Sequence, residues 1–244
     1  MNLQEMLDYT AAQYLDDRTD LVDGDPDSMW SDEFLITQYN EAQRLIARAA
    51  WCIIEEGVAP AGVLVLATDK AVYDLHKSVL HVYFATPTDQ ARPLIRTSDA
   101  ILRGARLVPD GNFSIDSSSA ASSGRPIAIA TDVGTRQIRF GPLVPSSVEN
   151  GLAVNLKIAR LPATWLTLDD SDAEPEVPED YHVQLCEYAA GKALTLPNVD
   201  GQQKADGRAL IERFNDAMRD ARRDRHRAEA NPGRWGFAST TANV

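Results

Sequence analysis

Apolar residues recur at helical spacing near both ends of the chain, whereas the stretch between them favours strands. The pattern from Leu3 to Leu15 predicts a short amphipathic helix. Ser31 is a good N-cap, and the acids after it favour a long helix that ends near Gly57. Towards the other end, Pro178 and the acids that follow it predict a helix start, and a last long helix spans about residues 203–229.

From Gly62 onward the pattern changes to short runs of β-branched and aromatic residues separated by polar turns. Residues 126–130 and 136–140 flank the turn at residues 132–135, which is typical of a hairpin. Residues 152–158 alternate apolar and polar side chains. That alternation indicates a strand with one buried side and one side facing solvent.

The predicted fold class is α+β, in which helices from both chain ends pack together and an antiparallel β-rich domain is inserted between them. The predicted helical domain comprises residues 1–57 and 178–230. Residues 58–177 form the β-rich insertion, which ends in an acidic, proline-rich linker from Asp169 that is too charged to pack. Residues 231–244 are predicted to form an extended C-terminal tail.

Charge is unevenly distributed along the chain. The formal net charge is -12 at pH 7, which argues against generic coating of nucleic acid because affinity for phosphates comes mostly from Lys and Arg. Acids crowd the first part of the chain, from Asp8 to Glu33, whereas arginines crowd the last predicted helix. This asymmetry favours binding partners whose charges differ in sign. The acidic region and the arginine-rich region are natural candidates for contacts between copies.

Cysteine usage and hydropathy point to a chain made in a reducing compartment and not inserted in a membrane. Cys52 and Cys186 fall in predicted helices, far apart and without ligand-like spacing, which fits synthesis in a cytoplasm. No apolar run approaches the roughly 20 residues that a membrane span requires. The N-terminal residues carry no basic leader.

Motifs of catalysis and cofactor binding are missing from the sequence. The four histidines have no metal-ligand spacing, and neither Gly-x-Ser-x-Gly nor a glycine-rich phosphate loop occurs. His182 is therefore expected to pack at the start of a helix. Asp23, Asp25 and Asp27 alternate as in a calcium loop, but Phe34 stands where the bidentate glutamate belongs. We expect no enzymatic activity, no bound metal and no cofactor.

Three stretches of the chain have residue patterns typical of one family: Trp30–Leu35 with Tyr39–Ala42, Gly124–Ala128 with Phe140–Pro142, and Pro175–His182. In these stretches the chain resembles head-to-tail adaptor (connector) proteins of short-tailed bacteriophages. Trp30–Leu35 with Tyr39–Ala42 resembles the second helix of that family. Gly124–Ala128, followed by the hairpin and Phe140–Pro142, is similar to its strand pair. Pro175–His182 is similar to its linker and penultimate helix. The resemblance covers nearly the whole chain, although the loop at residues 117–123 and the tail from Gly233 depart from the family pattern.

The resemblance implies a virion structural protein. It implies a homo-oligomeric ring, commonly a dodecamer, that joins the portal protein to a tail tube or nozzle protein and extends the channel through which genomic DNA passes transiently. It places the protein at the head–tail interface of a virion assembled in the host cytoplasm. Two alternatives stay open: another phage tail-completion or stopper protein, and a ligand-binding β-module in which Tyr73, Tyr83 and Phe84 line a groove.

The residues expected to contact the portal or a neighbouring subunit lie at the end of the last helix and in the tail. They are Arg219, Arg222, Arg223, Arg225, Arg227, Arg234, Trp235 and Phe237. The helical arginines have three interpretations: a solvated face paired with aspartates on the same helix, a portal contact, or a lining of the DNA channel. The last predicted helix has an apolar stripe of Leu210, Phe214, Ala217 and Ala221. No contact within the chain is expected to hold the turn beyond Ala221, because Ala221 is the last apolar residue of this stripe.

The two aromatic residues of the tail, Trp235 and Phe237, follow the last helix in a glycine-containing segment that cannot build its own core. Burial of each against a partner contributes roughly 1.5 to 3 kcal/mol. The alternative is a frayed terminus, which is common in proteins.

Overall fold

A computed structural model describes residues 1–15, 30–67, 70–107, 113–115, 126–141, 151–197 and 199–230. The chain divides into two compact units. The helical unit comprises Met1–Ile53 and Pro162–Val244, and the β unit comprises Ile54–Leu161. Helices from both chain ends pack together and most strand pairs are antiparallel, so the α+β fold class is confirmed.

In chain order, the helices are α1 (Leu3–Thr10) with a π-helical turn directly after it (Ala11–Leu15), α2 (Asp32–Ala50), α3 (Asp99–Gly104), a 3₁₀ turn (Glu179–Tyr181), α4 (His182–Leu194) and α5 (Gly201–Ala230).

Helix α2 begins where the sequence predicts but ends earlier. The side chain of Ser31 accepts a hydrogen bond from the backbone N–H of Phe34, which confirms the predicted N-cap. The predicted end near Gly57 is wrong, because Trp51 adopts a left-handed conformation (φ 53°) that stops the helix at Ala50. Cys52 therefore lies after the helix and not within it.

Helix α4 is the centre of the helical unit, because α1, α2 and α5 all contact it. Its packing against α5 depends on two glycines. A Cβ added at Gly191 would lie 2.9 Å from the carbonyl oxygen of Gly207, and a Cβ at Gly207 would lie 2.8 Å from the Cβ of Leu194. The two helices thus approach each other more closely than alanine at either position permits.

The acidic segment before α4 packs against α2, so the prediction of an unpacked linker is wrong. Asn40 is buried in α2, and its side-chain amide makes a pair of 2.9 Å hydrogen bonds with the backbone N–H and C=O of Leu166. The buried side chain of Gln43 accepts a hydrogen bond from the backbone N–H of Glu176 (3.1 Å). Val177, next along the chain, is buried. Two polar side chains of one helix therefore fix the course of residues 166–177.

The strands all lie in the β unit. They are β1 (Ile54–Glu56), β2 (Val63–Val65), β3 (Val72–Asp74), β4 (Val79–Pro87), β5 (Ile95–Thr97), β6 (Ala105–Leu107), β7 (Phe113–Ile115), β8 (Ala128–Ala130), β9 (Gln137–Gly141) and β10 (Ala153–Arg160).

Strand β10 organises one sheet of the β unit, with β1 and β2 paired on one side and β4 on the other, all antiparallel. Its side chains alternate between buried and half-buried, which confirms the predicted strand. A second sheet has the order β3-β9-β8-β5, and β6 pairs with β7 separately. The predicted hairpin is formed by β8 and β9. Strand β5, however, pairs with β8 in parallel, whereas the predicted β-rich domain was antiparallel.

The two larger sheets share one apolar core, and Phe140 and Leu156 are among its buried residues. Burial of aliphatic and aromatic side chains stabilises this core. The predicted flexible loop at residues 117–124 and the predicted tail at residues 231–244 lie outside the described residues.

We predict that Gly207→Ala lowers the free energy of unfolding by about 1–2 kcal/mol. Alanine gains about 1 kcal/mol of helix propensity over glycine. The new methyl group overpacks the contact with α4, which costs typically about 1–3 kcal/mol and more where backbone is met. Urea denaturation measures the difference.

Gly201→Ala is the matched control, because a Cβ at Gly201 meets no atom within 4 Å. We expect this variant to be neutral or slightly more stable than the natural chain. If both substitutions changed the free energy of unfolding equally, the close approach of α4 and α5 would not be what excludes a side chain at Gly207.

Candidate partner-binding surface

Helix α5 packs against α4 and α2 along one side. Four of the predicted contact residues are exposed on α5: Arg219, Arg222, Arg223 and Arg227. Leu210 and Phe214 are buried, as the predicted stripe requires, and Met218 continues the buried side. Ala217 and Ala221 are half-buried. The stripe therefore runs slightly differently from the prediction, because methionine fills the space towards the end of the helix.

The exposed face of α5 carries arginines that pair with aspartates on the same helix. Arg219 pairs with Asp216, Arg223 with Asp220 at 3.2 Å, and Arg227 with Asp224 at 3.2 Å. Each side chain in these pairs is more than half exposed. Exposed pairs of this kind contribute about 0–1 kcal/mol, so a partner can exchange them at little cost. Arg222 is exposed too, and among the described residues it has no ion-pair partner.

Arg225 is different, because it turns towards α2. Its Nη1 donates hydrogen bonds to the carbonyl oxygens of Arg48 (3.2 Å) and Ala49 (3.0 Å), and its guanidinium lies 4.2 Å from the centre of the Trp51 ring. The expectation that no contact within the chain holds this turn is therefore wrong. One cation satisfies the last carbonyls of α2 and fastens the C-terminal part of α5 to it.

A second surface lies on the segment before α4, and we call it the Trp165 surface. Trp165 and Leu168 are 56% and 48% exposed, and the carboxylates of Asp169, Asp170 and Asp172 follow them. Sequence reasoning missed this surface because it treated the segment as a solvated linker. The available signal was that residues 162–180 include seven acids and no basic residue, close to an exposed tryptophan.

Burial or partial burial shifts the pKa of several titratable groups in the helical unit. Burial lowers the pKa of His182, whose Nε2 lies 3.1 Å from the carbonyl oxygen of Val177, so it packs at the helix start as expected. Burial raises the pKa of Cys186 and of Cys52 to about 11 each, which keeps both thiols protonated. Burial also raises the pKa of Glu187, against an opposing effect of Arg213.

The aromatic residues expected to line a groove in the β unit do not all face solvent. Tyr73 is buried, its hydroxyl accepts from the backbone N–H of Ala67 (2.8 Å), and its ring contacts Phe140 edge to face. Tyr83 and Phe84 are half-buried. Tyr73 is thus a core residue, which disfavours the ligand-binding alternative.

Several predicted positions fall outside the described residues. They are Arg234, Trp235, Phe237 and the aspartates at residues 23–27. Within the described part of the chain, no group of three or more His, Cys, Asp or Glu residues is arranged to hold a metal ion. Of the helices that can be described, none has the length and hydropathy to cross a membrane.

The helical unit displays charged surfaces of both signs, and complementary charge of this kind steers contacts between proteins and makes them specific. The chain matches the family model described as SU10 adaptor protein over residues 1–236, and it therefore belongs to the SU10 adaptor protein family. The resemblance to phage adaptor proteins is confirmed, and the chain is a structural adaptor protein of a phage. None of the curated proteins matches it.

We predict that Arg225→Ala lowers the free energy of unfolding by about 1–3 kcal/mol, because hydrogen bonds from a charged donor are lost together with the contact with Trp51. Arg225→Lys should recover only part of the loss, since an ammonium lacks the planar fork of guanidinium. Urea denaturation of the full chain measures both values.

Arg223→Ala is the control, because its exposed pair with Asp220 is worth less than about 1 kcal/mol. An Arg225→Ala variant as stable as Arg223→Ala would contradict the assignment of Arg225 as an internal anchor of α5.

Proposed function

We propose that the chain forms a ring that joins the portal to the tail of a short-tailed phage and extends the channel for DNA. The observation that carries this proposal is the match to the SU10 adaptor protein family over nearly the whole chain. The number of subunits, twelve, comes from the family resemblance. Rings assemble in the host cytoplasm and are retained at the head–tail interface of the virion.

The exposed arginines of α5 are the proposed contacts with the portal or with a neighbouring subunit. They are Arg219, Arg222, Arg223 and Arg227. Arg225 supports them, because it fastens the end of the helix to α2 and so lowers the ordering cost of binding. Guanidinium groups form bidentate pairs with carboxylates, which fixes orientation as well as affinity.

A protein contact is favoured over DNA binding for this face. Asp216, Asp220 and Asp224 lie among the arginines, and the whole chain has a formal charge of -12. Carboxylates at this density repel phosphates. The negative charge of the whole chain likewise disfavours retention of DNA in the channel.

The tail residues Arg234, Trp235 and Phe237 are proposed as additional anchors on the portal. Each buried aromatic ring contributes roughly 1.5 to 3 kcal/mol, and repetition around a ring multiplies the effect. These residues bind in addition to the arginine face, so their removal should weaken attachment and leave the fold of the helical unit intact.

Purified chain mixed with the portal of the same phage is expected to give a complex with twelve bound chains, as weighed by native mass spectrometry. Removal of residues 231–244, or the double change Arg222→Glu and Arg223→Glu, should each weaken portal binding at least tenfold, which corresponds to about 1.4 kcal/mol.

Lys77→Glu with Arg92→Glu is the charge-matched control, because both side chains belong to the β unit. It should bind portal as the natural chain does. A natural chain that binds no portal at any concentration, and binds a tail component instead, would contradict the adaptor role and support a tail-completion or stopper protein.

A further inference from the structure

We propose that the Trp165 surface of one copy binds the exposed arginine face of α5 from the next copy. The inference rests on the proposed ring and names the two faces that close it. Because the two faces differ, each copy offers one of each and the contact is head to tail, which is the geometry that generates a ring.

The Trp165 surface has the features of a preformed docking site. The exposed indole of Trp165 lies beside a cavity of about 250 Å³ lined by Gln43, Leu166 and Glu174, among others. The hydrogen bonds between Asn40 and Leu166 hold the segment in place. Exposed tryptophan on a fixed backbone is typical of the residues that dominate binding energy at protein interfaces.

The charge of this surface specifies a cationic occupant. Seven acids and no basic residue occur in residues 162–180. Asp169, Asp170, Asp172 and Glu174 are exposed, and none of them has an ion-pair partner among the described residues. A partner that covers Trp165 and Leu168 must bring positive charge, since any other partner leaves these carboxylates uncompensated.

The chain itself carries a matching cationic face. The arginines of α5 are exposed and pair with aspartates of their own helix, and Arg222 pairs with none of the described residues. Guanidinium binds carboxylates in bidentate fashion and stacks on tryptophan. The guanidinium of Arg44 already lies 5.6 Å from the centre of the Trp165 ring, so this indole accepts such a neighbour.

The two faces do not satisfy each other within one copy. The segment with the Trp165 surface is hydrogen-bonded to Asn40 and Gln43 in the middle of α2. Helix α5 is hydrogen-bonded to α2 elsewhere, at the carbonyl oxygens of Arg48 and Ala49 at the end of α2. In the described part of the chain, the carboxylates of Asp169, Asp170, Asp172 and Glu174 make no ion pair with the exposed arginines of α5. Among the described residues, both faces are therefore open to a contact with another copy.

Charge reversal in two separate full-length variants tests the contact. One variant carries Asp169→Lys and Asp172→Lys, and the other carries Arg222→Glu and Arg223→Glu. Each alone should weaken self-association at least tenfold, measured in the absence of portal by sedimentation velocity over a concentration series. An equal mixture of the two should assemble as the natural chain does, because each interface then joins natural faces or oppositely reversed faces.

The outcomes separate this inference from the proposed function. In the absence of portal, a mixture that assembles no better than either variant alone, or reversals that leave self-association unchanged, would overturn the inference; the proposed function would still be supported if the natural chain binds portal. Rescue of self-association by the mixture, together with a natural chain that binds no portal, would support the inference and contradict the portal role. Glu56→Lys with Arg92→Glu, both exposed in the β unit, is the control and should leave assembly unchanged.

Discussion

Helix α4 can be buried only if helices from both ends of the chain close around it, and the rest of the helical unit depends on this constraint. The thiol of Cys186 lies 3.8 Å from the carbonyl oxygen of Met6, and the indole of Trp30 donates to the carbonyl oxygen of Ala193. On the C-terminal side, Gly191 meets α5. The intervening residues, Ile54–Leu161, form a compact unit of their own. With α4 covered, α5 becomes an outer helix with one exposed face.

The local features of this fold were predictable because each depends on neighbouring residues. The cap of Ser31 requires only the backbone N–H three residues later. The alternation along β10 and the hairpin of β8 and β9 follow from strand periodicity and a polar turn. The pairs of Arg223 with Asp220 and Arg227 with Asp224 follow from helical spacing. In the candidate site, therefore, the exposed arginine face was accessible to sequence reasoning.

The features that were predicted wrongly or missed depend on contacts between residues that are distant in the chain. The anchoring of Arg225 at Ala49 and the hydrogen bonds of Asn40 with Leu166 each join positions more than 100 residues apart. An arginine after the last apolar residue and a buried asparagine carry no local sign of such partners. The parallel pairing of β5 with β8 joins residues that are nearer in the chain, such as Ile95 and Ala128, but it too has no local sign in the sequence. The Trp165 surface was missed for the same reason, since acidic sequence alone does not distinguish a packed segment from a solvated linker.

An adaptor acts by presenting rigid surfaces of defined charge, and the internal anchors of α5 and of residues 166–177 provide that rigidity. The most direct test is an electron cryomicroscopy reconstruction of the head–tail vertex of the intact phage. We expect density for a closed ring of this chain in contact with the portal. Density for the chain elsewhere in the particle, or single unconnected copies at the vertex, would contradict it.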